Sequence, residues 1–189
     1  MSIVLHRSAS DLDLARQPVN HVERPALPAV STSETHAMSY DRADFDYSSE
    51  AEPLPKGHAA THIGIYLAWA ALHGQINDFH EQHSGQLLAK LRRREITGRQ
   101  FFEAACKEQF AEKDLNVEGN AFAEHYYREA NGERGAYFDD YKKVLAAGLP
   151  SFWHVADTWG NYEKLAPVIT RRFEEWKHPR KKRWWQFWK

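Results

Sequence analysis

A single cysteine, Cys106, stands in a chain of 189 residues. No intramolecular disulfide framework and no cysteine-rich zinc site can therefore form, which fits a reducing cytosol. Net charge is lacking as well, since 25 basic residues meet 26 acidic ones. No whole-molecule field draws such a chain to nucleic acid or to anionic lipid, and a partner of that kind has to be met by a local patch. The opening MSIVLHRSASDLDLARQ is not a secretory signal, because its apolar start ends at His6 and Arg7. The longest stretch without Lys, Arg, Asp or Glu, from Gly57 to Asn77, reaches membrane-spanning length, but His58, His62, His73, Gln75 and Asn77 are too polar for hydrocarbon. It reads as a buried core helix with polar edges. Glycine-rich phosphate cradles, a GxSxG elbow and a kinase-type motif set are all missing.

With 42% hydrophobic and 13% aromatic residues, the chain can bury one ordinary core. Residues 1–38, with Pro18, Pro25 and Pro28 and no sustained period, read as a disordered leader. Composition changes abruptly at Met38, which is an alternative start. Tyr40 to Tyr47 interleave aromatic and acidic residues, as a short edge strand does. Helices follow. Ile65, Trp69, Leu72 and Ile76 form an apolar stripe; Leu87, Leu88 and Leu91 form a second; Phe102, Cys106 and Phe110 form a third, behind a capping box of Thr97 and Gln100. Phe122 with Tyr126, and Tyr137 with Tyr141 and Val144, continue the series. Leu165, Ile169, Phe173 and Trp176 form the last stripe, with Pro167 either kinking one helix or starting another. The spacing predicts a mainly α, compact bundle of five to six helices over residues 39–178, and the Tyr40–Tyr47 pattern allows one short edge strand near its start.

Histidine is the natural place to look for chemistry. His80 and His83 lie three apart and His58 and His62 four apart, spacings that can put ligands on one helix face. However, HEQH misses the HExxH metalloprotease spacing by one residue, and His62 and His73 are about 16 Å apart on a helix rising ~1.5 Å per residue. Exposed or hydrogen-bonded histidines are the expectation, with no metal and no cofactor. The adjacent pairs Asp139/Asp140 and Glu174/Glu175 point about 100° apart on a helix and so do not face each other as acid and base; they read as solvated faces. Cys106 reads as buried core, because no local signature assigns it a base. His58, His62, Tyr66 and His73 are the candidate partner-binding residues, since imidazole and phenol can hydrogen-bond while burying ring area. The competing reading tucks this polar helix edge under the acidic YDRADFDYS segment.

The stretches ATHIGIYLAWAALHG, TGRQFFEAACKEQFAEKDLNVEGNAFAEHYY and HVADTWGNYEKLAPVITRRFEEWK, in that order, resemble a bacterial domain family of unknown function, from about Tyr40 to Lys177. That resemblance implies no established activity and no catalytic residues. It does imply an immunity or accessory role, because small cytosolic domains of this kind are often encoded near secreted antibacterial toxins.

The end, KHPRKKRWWQFWK, sets Trp184, Trp185, Phe187 and Trp188 among Arg180, Lys181, Lys182 and Arg183. Cations beside interfacial aromatics suit a peripheral membrane contact, at about 1 kcal/mol per cation near an anionic leaflet. The same residues could anchor a partner protein or fold back on the domain. One short patch on a neutral chain is thin support for nucleic acid. The expectation is a non-catalytic cytosolic protein-binding domain, an immunity or accessory protein of a toxin system, with residues 179–189 holding it to a partner or to the inner membrane face. A peripheral membrane scaffold, and an enzyme or metal-binding protein using the clustered histidines, are the alternatives.

Overall fold

Side-chain caps set where four of the helices begin. In the computed structural model, which describes residues 39–43, 57–128 and 134–179, Thr97 Oγ1 accepts from the Gln100 N–H while the Gln100 side-chain oxygen accepts from the Thr97 N–H. This is the capping box expected at that point. Asn77, Asn116 and Thr158 cap three further helices in the simpler way, each accepting from a backbone N–H of the first turn. The described residues all fall within residues 36–189, one of two units into which the chain divides. The leader over residues 1–38 lies outside them, as does Arg180 onward.

Among the described residues the architecture is mainly α. The helices are α1 (Thr61–Leu72), α2 (Asp78–His83), α3 (Gly85–Arg92), α4 (Gly98–Ala105), α5 (Val117–Tyr126), α6 (Ala136–Tyr141) and α7 (Trp159–Lys177). The count exceeds the expected five to six because α2 and α6 are short turns of six residues each. The expected edge strand is β1 (Ser39–Arg42), which pairs antiparallel with β2 (Gln109–Ala111); Asp41 lies opposite Phe110, and the register shifts between Ser39 and Asp41.

α1 is the axis of the fold. Every residue from Thr61 to Ala71 is buried, so the stripe of Ile65, Trp69 and Leu72 is only part of a helix covered on all sides, and Ile76, expected on the same stripe, lies past the helix end, bridged to Leu115. The approach of α4 explains why small residues punctuate it. A Cβ on Gly98 would stand 1.9 Å from the Gly64 carbonyl oxygen, and one on Gly64 would stand 2.2 Å from the Arg99 nitrogen, so the two backbones touch where they cross and only glycine fits.

The third stripe is corrected by the structure. α4 stops at Ala105, and Lys107 and Glu108 take left-handed backbone angles, φ 54° and 59°. The chain therefore turns out of the helix, and Phe110 reaches the core from β2. It is fully buried there, against the rings of Tyr40 and Tyr66. α7, in contrast, runs unbroken through Pro167. Leu165, Ile169 and Phe173 lie in the core, and Trp176 packs on Phe122 and Phe173.

Candidate functional site

The ionisable side chains in and around the core form separate small constellations, each joining different elements. The first joins β1, α1 and the end of α5. His62 Nε2 meets Asp41 Oδ2 at 2.9 Å, the Tyr127 hydroxyl donates to the same oxygen at 2.7 Å, and the Arg42 N–H donates to Oδ1 at 2.8 Å. Burial alone would raise the Asp41 pKa; the hydrogen bond and charge of His62, with Tyr127 and the Arg42 N–H, hold it below the usual carboxylate value instead. Burial, then the Asp41 charge, push the Tyr127 phenol well above its ordinary value. The rings of Phe138, Phe152 and Trp153 stand 5.3–5.4 Å from that of His62. The Arg134 guanidinium lies over the same rings, 4.9 Å from Phe138 and 5.5 Å from Trp153.

A second constellation ties α1 to α7. His73 stacks on Trp69, its Nδ1 lies 2.8 Å from the Trp69 carbonyl, and its Nε2 lies 3.2 Å from Thr170 Oγ1, which also accepts from the Trp69 indole at 3.0 Å. A third ties α6 to α7. Arg172 grips Asp140 with two hydrogen bonds of 2.8 and 3.1 Å, and the Tyr126 hydroxyl donates to the same carboxylate at 2.9 Å. The expected solvated face is thus half wrong: Asp139 is exposed, whereas Asp140 is buried. The reason lies in α7, which brings a cation to a helix face that is polar on paper.

The fourth constellation has no precedent in local spacing. Cys106, just after α4, lies with its sulfur 4.0 Å from His80 Nε2 on α2, and that nitrogen is 2.9 Å from Asp114 Oδ1 in the turn after β2. Asp114 Oδ2 accepts from the Ala111 N–H at 2.8 Å. All three side chains are buried, and the donor atoms lie within 4.8 Å of one another. Burial, and then the neighbouring Asp114 charge, push the Cys106 thiol far above its ordinary pKa. A thiol so held is not a nucleophile.

The candidate partner-binding residues are separated by this packing. His62 and Tyr66 are buried. His58 is half-buried, with Nδ1 on the Trp153 carbonyl at 2.9 Å, and His73 is exposed. Of the acidic segment, Asp41 meets the helix edge at His62, while residues 44–48 lie outside the described residues. His80 and His83 part company, since His80 turns inward while His83 stacks on Phe79 at the surface. The tail residues Arg180, Lys181, Lys182, Arg183, Trp184, Trp185, Phe187 and Trp188 lie outside the described residues. Cys106 was legible as buried, but its neighbours His80 and Asp114 are 26 and 8 positions away, and nothing local links them. Among the described residues, no helix is long and apolar enough to cross a membrane.

The chain belongs to the family described as a domain of unknown function, DUF7832, whose model matches residues 39–155. The match takes in Asp41, His62, His80, Cys106, Asp114 and Tyr127 and stops short of α7, so the third resembling stretch lies mostly beyond it. Neither a curated protein nor a solved structure matches the chain.

Proposed function

Family membership brings no activity with it, and we propose that the chain is a non-catalytic protein-binding domain, an immunity or accessory protein of a bacterial toxin system that works in the cytoplasm. One observation carries the non-catalytic part. Four inward or element-joining side chains that could act as acid or base are spent on tying elements together: His62 on Asp41, His73 on Trp69 and Thr170, His80 on Asp114, Asp140 on Arg172. General acid–base work needs such groups aimed at a substrate instead. Exposed apolar side chains are available for contact. Val117, at 89% exposure, stands with Ile76, Asp78 and Glu81 around a shallow depression, and Phe79 is exposed close by in sequence.

The test is a photo-crosslinking residue placed at position 117 or 79 of the full chain in its native cells, with one at exposed Asp139 as control. A single protein adduct from 117 or 79 and none from 139 supports the reading; equal or no labelling from all three positions counts against it. If the adduct is a toxin-like protein, co-expression with this chain has to protect the cell, and loss of protection removes the immunity role.

A second reading, membrane contact at the inner leaflet, rests on the basic aromatic composition of residues 179–189. Flotation with anionic liposomes separates it. Full-length protein that floats and is released by salt, beside a form ending at His178 that stays behind, supports it. Equal behaviour of the two forms removes it.

A further inference from the structure

We propose that His80, Cys106 and Asp114 form a buried binding site for one divalent transition-metal ion of the zinc type. Three elements distant in sequence, α2, the end of α4 and the turn after β2, deliver an imidazole, a thiol and a carboxylate to one point. These are the three donor types that zinc takes from proteins. With Nε2 to Oδ1 at 2.9 Å, Nε2 to sulfur at 4.0 Å and the donors within 4.8 Å of one another, an ion central to the triangle sits about 2.0–2.4 Å from each donor. Zinc bonds to nitrogen, oxygen and sulfur are ~2.0–2.3 Å, so the donors need to move by only a few tenths of an ångström.

Charge favours the same conclusion. A divalent ion with one thiolate, one carboxylate and a neutral imidazole is electrically neutral, which is the form that a site with no solvent exposure tolerates. The thiol proton leaves to solvent as the sulfur coordinates, because a bound cation reverses the effect that burial has on a thiol. The proton between Nε2 and Asp114 Oδ1 passes to Nδ1, which has no partner among the described residues, so that Nε2 offers its lone pair to the ion. Asp114 is itself held by the Ala111 N–H, the kind of outer support that fixes a metal-binding carboxylate.

Cobalt(II) is the probe, because its colour reports both geometry and sulfur ligation. The full-length chain is unfolded with chelator, desalted and refolded with or without one equivalent of cobalt. The expected result is one ion per chain, a thiolate-to-cobalt charge-transfer band, and a thermal midpoint raised by roughly 5 °C or more. Cys106→Ala abolishes the band, and His83→Ala, altering the exposed neighbour, leaves it intact. Binding well below one ion per wild-type chain overturns the proposal whatever the variants do. So does cobalt bound without the charge-transfer band, which places the ion on surface histidines, and so does a band lost in a folded His83→Ala protein.

Discussion

His62 and His80 are both buried, both direct Nε2 to a carboxylate oxygen at 2.9 Å, and both leave Nδ1 without a partner among the described residues. Their surroundings differ. The carboxylate facing His62 belongs to β1, keeps 17% of its side-chain surface exposed, and is shared with Tyr127 and the Arg42 N–H. The one facing His80 has no exposure and a thiol for its other neighbour. Around His62 stand aromatic rings, which make an imidazole comfortable but offer no ligand. The same pair of residue types thus serves as a strand latch in one place and as two-thirds of a donor set in the other. What surrounds the pair decides which.

The comparison is tested most severely at Asp114. Asp114→Ala leaves two buried donors, of His80 and of the Ala111 N–H, without their acceptor in a dry interior, and at about 1–3 kcal/mol for each stranded donor urea unfolding is expected to show a loss of about 2–6 kcal/mol. Asp41→Ala removes a carboxylate that water partly reaches, and is expected to cost about 1–3 kcal/mol. Equal losses would mean that the two pairs are equivalent after all. Next comes Tyr127→Phe, which removes one of the hydrogen bonds to Asp41 and leaves the ring packing; about 1 kcal/mol is expected, with no change in cobalt binding.

Acid sharpens the contrast. The folded Asp41 pKa lies below its unfolded value, so its contribution is fully present above about pH 4 and is lost as pH falls through the folded pKa. A pH series of unfolding midpoints is expected to show this loss in the wild type and to flatten in that range for Asp41→Asn. The smallest effect is expected at Arg134. Arg134→Ala removes a cation from the rings around His62 and is expected to cost about 0.5–1 kcal/mol in the same urea assay, with the His80 site untouched.

Much of the fold was legible because it depends on short-range pattern. Thr97 and Gln100 announce the start of α4 by a contact three residues long, and the stripes at Ile65 and Leu165 follow the helical period, which the chain repeats wherever a helix packs. Phe110 was misplaced because the same spacing continues past the real helix end. The break depends on left-handed angles at Lys107 and Glu108, and neither residue type signals them. Asp140 was misread because its partner Arg172 is 32 residues away on α7.

The candidate sites show the same divide more sharply. Composition alone excluded a disulfide framework, ruled out a membrane span from Gly57 to Asn77 through its polar residues, and identified α1 as core, because these depend on which residues are present and how they repeat. Only tertiary structure could turn His80 away from His83, three positions on, and toward Cys106 and Asp114. Side-chain direction on a short helix is set by what packs against it, and α4 and the turn after β2 enter that packing from 26 and 34 positions away.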